Sequence, residues 1–465
     1  MLLLAGCAVG PDYKRPATTP VPTDWRDTAL AVRDSSYANL AWWAVLQDTT
    51  LQSLIRTALK ENRDLHTALG RVNEARALLG IQRLELLPQI DVQGRIGHSD
   101  GADSLLTGVS TNELGFLGVT LNWELDLWGR LRRLNEAALA VLLASEQGRR
   151  GVILTVVSEV ARSYFELLDL DGQVGIAESQ LRIRQQSLDL ARARYEGGLT
   201  SQLDVRQGEN ALAVAEVTRA RALRQRTQKE NEISILLGRP PRAVPRGLPL
   251  AQQQFPNVIP AGIPSELLQR RPDVRQAEEQ LRAANARVGA AIAARFPTIS
   301  LTAAGGTISE DIGSLFTGGT GFFNIAGNLL LPIINSGRNR RQVAAERART
   351  EASVGQYEKT VLTALREVED GLVEVQRSRE EAEAATRAAV AARLAVGLAA
   401  DRYEGGVDTY LSLLDAQRTQ LDAELQESQL QRQQRVAVVS LYKALGGGWD
   451  PVTDSLTLQR ASGGR

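Results

Sequence analysis

Cysteine, histidine and methionine are almost missing from this chain of 465 residues, which has one Cys, two His and one Met. A Cys/His metal centre needs several such ligands and a disulfide needs two cysteines, so the first is excluded and so is a disulfide within the chain. Lys and Arg number 54, and so do Asp and Glu. With no net charge, there is no bulk attraction for nucleic acid or for an acidic partner. Nowhere do 18 apolar residues run together, so no transmembrane helix is expected. No Ser/His/Asp set appears. Gly446-Gly447-Gly448 lacks the Lys-Ser/Thr and the preceding strand of a phosphate loop, and reads as a helix stop. The expectation is a protein that is not an enzyme and needs no cofactor or metal.

Proline is missing only in places. None of the 16 prolines falls at 131–239 or 333–450, whereas eight lie between 240 and 272. Proline costs about 3 kcal/mol inside a helix. The two proline-free stretches are rich in Ala, Leu, Arg, Glu and Gln, so they predict very long helices. A helix from about 130 to 195 would run near ~100 Å at 1.5 Å per residue. Gly197-Gly198 would stop it and Thr200 or Ser201 would cap the return helix to about 237; further on, Gly405-Gly406 would be the stop and Asp408 or Thr409 the cap of a return to Leu445.

The chain repeats itself. Tyr195-Glu196-Gly197-Gly198 returns as Tyr403-Glu404-Gly405-Gly406, Gly129-Arg130 as Gly337-Arg338, and Leu237-Gly238 as Leu445-Gly446, always 208 residues later. A register held this long implies a duplicated unit. The expected map is a residual signal at 1–6, an N-terminal segment at 7–48, a first repeat at 49–239, a Pro-rich linker at 240–271, a second repeat at 272–446 and a tail at 447–465. In each repeat a shorter helix (49–86, 272–294) leads to a β-hairpin (88–128, 297–333) and then to a long helical hairpin (130–237, 338–445).

The strands are read from strict alternation. Leu117, Val119, Leu121, Trp123, Leu125 and Leu127 alternate with Gly118, Thr120, Asn122, Glu124 and Asp126. Ile90, Val92 and Ile96 form a weaker partner. Ile299, Leu301 and Ala303, then Phe323, Ile325, Leu329 and Leu331, supply two more strands, with loops at 99–113 and 305–320. Strands apolar on one face and polar on the other suit a transmembrane barrel or a soluble sheet with one buried face. Acidic and basic residues on the polar face favour a wet lumen. Four strands cannot close a barrel, and lipid does not tolerate open edges, so membrane insertion would require several copies of the chain.

Several stretches then become recognisable. Cys7-Ala8-Val9-Gly10-Pro11-Asp12-Tyr13-Lys14-Arg15-Pro16 resembles the N-terminal signature of outer membrane efflux lipoproteins of the OprM/NodT type, relatives of TolC. Asn122 through Arg130, Arg270 through Arg275, Arg402 through Val407, Tyr410 through Arg418 and Leu441 through Trp449 are similar to that family's later motifs, in order and spacing. The resemblance implies an α+β membrane protein, a homotrimer in which four strands per chain form one 12-stranded outer membrane barrel. Long antiparallel helices continue it as a periplasmic tunnel, and the polar residues on those helices read as its solvated face. It implies a passive duct of a tripartite efflux system exporting small toxic compounds, with a periplasmic adaptor and an inner-membrane pump of the resistance-nodulation-division class. A type I protein-secretion duct and a soluble periplasmic coiled-coil scaffold are the alternatives.

Leu3-Leu4-Ala5-Gly6-Cys7 also fits a lipobox, making Cys7 the expected lipidation site in the outer membrane of a Gram-negative bacterium. The short uncharged stretch before Cys7 suggests that the true start lies upstream or has been trimmed. By resemblance, the periplasmic gate falls on Leu411, Asp415 and Arg418, which share a helix face at i, i+4 and i+7. The adaptor-docking tips fall on Gly197, Gly198, Leu199 and Thr200 and on Gly405, Gly406, Val407 and Asp408. Shifted by 208, Leu411 meets Leu203, but Asp415 meets Gln207 and Arg418 meets Asn210. The charged pair stands in the second repeat alone.

Overall fold

The computed structural model describes residues 8–16, 21–26, 47–98, 113–253, 262, 264–309, 315, 321–334 and 336–447. Cys7 and the 448–465 tail lie outside the described residues. In order, the elements are α1 (Thr49–Glu61), α2 (Arg63–Leu84), β1 (Gln89–His98), β2 (Glu113–Leu125), α3 (Arg130–Glu196), α4 (Gln202–Leu236), α5 (Pro272–Ala293), β3 (Thr298–Ser309), β4 (Gly321–Leu330), α6 (Arg338–Glu404) and α7 (Tyr410–Ala444). The long helices match pairwise: α3 and α6 have 67 residues each, and α4 and α7 have 35 each. No described helix is both long and apolar enough to cross a membrane.

Two compact units are present, each built from three chain segments. One holds Met1–Thr18, Gly70–Gln147 and Arg275–Lys359; the other holds Thr19–Leu69, Gly148–Val274 and Thr360–Arg465. Neither unit is one repeat, since each draws on both halves of the chain.

In the first unit the four strands form one antiparallel sheet in the order β1-β2-β3-β4. The halves are joined by β2 and β3. The register aligns the apolar set across the whole sheet, because directly opposed residues share a face. Ile90 opposes Leu121, Val92 opposes Val119, Leu121 opposes Ala303, Ala303 opposes Ile325 and Ile299 opposes Leu329. The other face carries Asp91 against Thr120, Asn122 against Thr302 and Ser300 against Asn328. Much of the apolar face is uncovered: Val92 is 74% exposed, Phe323 75% and Ile325 61%.

Three expectations change here. The strand expected to reach Leu127 stops at Leu125, and Asp126 turns back to accept the Leu131 and Arg132 amides at 3.0 and 2.9 Å. β3 runs on through Gly305 and Gly306, which read as loop. A side chain at Gly306 would place its Cβ 2.2 Å from the Leu117 carbonyl, so the glycine marks a close strand approach rather than a turn. The single helix expected over 49–86 is two. Asn62 ends α1 in extended backbone, and its Oδ1 accepts the Asp64 and Leu65 amides at 2.9 and 3.2 Å to start α2.

Residues 8–16 lie along the same unit. Val9 donates to the Trp128 carbonyl at 3.1 Å, and Arg133 reaches Asp12 at 2.8 Å. Arg15 grips Glu278 through Nε and Nη2 at 3.1 and 2.7 Å, while Arg282 lies over the Tyr13 ring.

The second unit is held by an apolar core that includes Trp25, Ile55, Val160, Tyr164, Phe165, Leu372 and Leu441. Within it, buried Asp48 caps α1 through the Thr50 and Leu51 amides. The same carboxylate accepts Tyr164 Oη at 2.9 Å and Gln253 Nε2 at 2.7 Å. Arg271, in the Arg-Arg-Pro-Asp motif, donates to the Ala444 carbonyl at 2.9 Å and to Glu367 at 2.7 Å, so that motif fastens the end of α7. Substituting Asp48→Ala removes one helix cap and two charge-assisted hydrogen bonds. It should destabilise the fold by about 3 kcal/mol, measured as a lower denaturant midpoint by intrinsic fluorescence.

Candidate functional site

The long helices of the second unit end in the same way in both repeats. Gly198 (φ +71°) and Gly406 (φ +73°) sit in the left-handed region, where a side chain is strained. The Gly198 amide returns to the Tyr195 carbonyl and the Leu199 amide to that of Arg194; Gly406 to Tyr403 and Val407 to Arg402 repeat the pattern. This 5→2 and 6→1 pair is a Schellman stop. Of the caps expected, Ser201 and Thr409 act: Ser201 Oγ accepts the Leu203 amide at 3.2 Å, and Thr409 Oγ1 accepts that of Ser412 at 3.3 Å. Asp408 instead pairs with Arg402 at 3.3 Å; hydrogen bonds from Ser412, the Thr409 amide and Arg402 lower its pKa.

The two tips are tied to each other. Arg194 donates to the Glu404 carbonyl at 2.8 Å, and its guanidinium lies 5.0 Å over the Tyr403 ring. Tyr403 packs against Tyr410 at 5.2 Å, over Ala191 and Leu413. At the turns themselves, Leu199 and Val407 stand at equivalent positions and are 70% and 69% exposed. Each tip therefore offers a fixed backbone turn with one apolar side chain in water.

α7 has two distinct faces. Leu411 is exposed, and Arg418 Nη2 meets Asp415 Oδ1 at 2.9 Å with both side chains largely in solvent. An exposed i,i+3 pair of this kind is worth only about 0.2–0.5 kcal/mol. Tyr410, Leu413, Gln417, Gln420 and Glu424 form the buried face. Gln417 accepts Arg184 Nη1 at 2.6 Å and donates to Ser187 Oγ at 2.7 Å. Burial lowers the pKa of Arg184. Glu424 accepts Arg393 Nε at 2.7 Å.

Polar residues on the long helices were expected to line a wet tunnel. For Arg184, Ser187, Gln417, Gln420 and Glu424 the structure corrects this, because all five are buried. The signal was in the spacing: residues 410, 413, 417, 420 and 424 continue one three-four stripe that begins with Tyr and Leu. Hydrophobicity alone breaks the stripe at its polar members. Leu411, Asp415 and Arg418 and both helical tips belong to the second unit. Among the described residues no group of three His, Cys, Asp or Glu is arranged to hold a metal.

Solved structures share this architecture. The open-state MtrE outer membrane channel of Neisseria gonorrhoeae superposes with a TM-score of 0.84 at 33% identity, covering 95% of this chain and 98% of that one. The outer membrane channel OprN matches with a TM-score of 0.86 at 30% identity, over 96% and 100%. The class is thus an outer membrane channel of an efflux system, a duct rather than an enzyme. A family model described as outer membrane efflux protein matches residues 54–239 and 263–447, one segment in each repeat. The chain belongs to the outer membrane efflux protein family. Among its relatives, the probable efflux pump outer membrane protein TtgC of Pseudomonas putida is 37% identical over 456 residues, covering 96% of this chain and 94% of that protein.

Gln417→Leu would strand the Arg184 guanidinium, which has no other hydrogen bond among the described residues. It should cost about 3 kcal/mol, and Arg184→Met in the same chain should recover most of that loss. A double-mutant cycle on thermal unfolding checks this.

Proposed function

We propose that three copies of this chain form one duct through which small toxic compounds leave the cell, driven by a partner pump. The single observation that carries the reading is the four-stranded sheet, apolar and uncovered on one face, polar on the other, and with a free edge at β1 and at β4. In hydrocarbon every backbone donor and acceptor needs a partner, so free edges are stable there only when another copy pairs with them. Three copies give about twelve strands, within the size range of outer membrane barrels. The helical hairpins continue the duct through the periplasm. An adaptor docks on the tips at Gly197, Gly198, Leu199, Thr200, Gly405, Gly406, Val407 and Asp408, and a pump of the resistance-nodulation-division class supplies the energy.

Lipid on Cys7 anchors each copy. In support, Ala8 lies against Gly129 where β2 hands over to α3: a Cβ at Gly129 would come within 2.8 Å of Ala8. The gate is Leu411, Asp415 and Arg418 on the exposed face of α7. Three acidic groups crowded at an axis repel and select cations, and Arg418 pairing holds them together. The relatives named for antibiotic, solvent and toluene efflux support a cargo of small, mostly apolar compounds.

Reconstitution tests the reading directly. The purified chain should form channels in planar bilayers, and Asp415→Ala should raise single-channel conductance at neutral pH. Unchanged conductance would take Asp415 out of the gate. Leu199→Asp together with Val407→Asp should leave conductance unaltered. The same pair should weaken adaptor binding by at least about tenfold, because each buries a charge in what was an apolar contact. Surface plasmon resonance with the cognate adaptor measures that loss.

A further inference from the structure

The two repeats differ most sharply where each β-hairpin enters its long helix. In the first repeat, Gly129-Arg130-Leu131-Arg132-Arg133 opens α3, and every arginine there meets a carboxylate. Arg130 is held by both oxygens of Glu124 at 3.0 and 2.7 Å, Arg132 by Asp126 at 3.2 Å, and Arg133 by Asp12 and Glu136 at 2.8 Å each. Asp126 also takes the Leu131 and Arg132 amides, so the protein places its own anion on the first turn of the helix. Negative charge there complements the helix dipole.

In the second repeat the cations are kept and the anions are gone. Gly337-Arg338-Asn339-Arg340-Arg341 opens α6, but 208 residues after Glu124, Asp126 and Glu136 stand Pro332, Ile334 and Ala344. Neither α3 nor α6 has an acidic residue in its own first turn, so α6 has no substitute for the carboxylates that precede α3. Arg338, Arg340 and Arg341 are all exposed, and none makes an ion pair or side-chain hydrogen bond among the described residues. Three like charges at the positive end of a helix oppose one another and the dipole. The segment that replaces the carboxylates is apolar and uncovered: Leu329, Leu330, Ile333 and Ile334 are between 69% and 91% exposed.

We propose that Arg338, Arg340 and Arg341 bind the phosphate of an anionic phospholipid at the periplasmic boundary of the membrane. The first repeat shows that this helix start is completed by an oxyanion that accepts guanidinium and backbone N–H groups together. A phosphodiester offers the same acceptors, and planar guanidinium groups match it bidentately. The apolar residues next to the arginines select a phosphate that carries acyl chains over a free one, since Leu329 on the apolar face, with Ile333 and Ile334 beyond the end of β4, would sit in hydrocarbon while the arginines reach the headgroups. The inference rests on the strands being membrane-spanning, and it adds a lipid partner to that reading.

The experiment compares the purified full chain, Arg338→Gln/Arg340→Gln/Arg341→Gln, and a control, Arg182→Gln/Arg221→Gln/Arg224→Gln, which removes three other exposed arginines. Phosphatidylglycerol, phosphatidylcholine and inorganic phosphate are titrated separately, with retained lipid read by native mass spectrometry and stability by thermal shift. Phosphatidylglycerol should bind and stabilise the wild type and the control. Its affinity for the triple variant should fall roughly tenfold to a hundredfold, and phosphatidylcholine and inorganic phosphate should have little effect on any of the three. Equal phosphatidylglycerol binding by the triple variant overturns the proposal, and so does equal stabilisation by inorganic phosphate. Loss of the oligomer by the triple variant without added lipid overturns it too, because the arginines would then pair between copies. Planar-bilayer recordings separate the two layers of the argument. No channel from the wild type sinks the membrane reading, whereas normal channels with unaltered lipid dependence in the triple variant sink this inference alone.

Discussion

A peptide group inside hydrocarbon has no water to turn to, and in the duct proposed above that constraint organises the whole sheet of this chain. Its sheet satisfies the backbone of β2 and β3 on both sides but leaves one side of β1 and of β4 open. In the proposed duct the apolar face meets hydrocarbon, and further copies of the chain pair with the open edges. The crossing of halves follows from the same need. A two-stranded hairpin is marginal alone, so β2 of one repeat pairs with β3 of the other along eleven residue pairs. The compact units are consequently mosaics of both repeats rather than one repeat each.

Away from the sheet the problem is to keep long helices from ending in unsatisfied carbonyls. The chain solves it with one device used four times. Gly198, Gly238, Gly406 and Gly446 all have positive φ and close Schellman turns. At Gly238 a second reason applies, because a Cβ would sit 2.1 Å from the Glu61 carbonyl. The contact brings α1 close enough for Arg239 to hold Glu61 with two hydrogen bonds, at 2.6 and 2.7 Å.

Much of this was legible in the residues. Alternation from Leu117 to Leu125 gave the central strand and its faces, and absent prolines with paired glycines gave the helical hairpins. The exposed face of α7, with Leu411, Asp415 and Arg418, follows from helical spacing. What stayed hidden depends on neighbours remote in sequence. Gly305 and Gly306 read as loop because their role is set by how closely β2 approaches β3. Asn62 breaks a helix through its own side chain and through a bond to the Leu236 carbonyl at 2.8 Å, 174 residues away. Gln417 and Glu424 look solvated until Arg184 and Arg393 are placed beside them. Hydropathy reports what a residue prefers, not which partner reaches it.

The equal lengths of α3 and α6, and of α4 and α7, carry a mechanical consequence. Each residue of an α-helix adds 1.5 Å and turns the chain by about 100°. Losing one residue from α6 alone would withdraw its tip from Arg194 and swing Tyr403 off its neighbours. Both tips are locked through that contact, so neither helix can change length independently. Paired changes close to a whole number of turns, such as about seven residues for two turns, keep both relative height and facing direction. The hairpins behave as a gauge block, and drift in the length of one is opposed by the fixed length of the other.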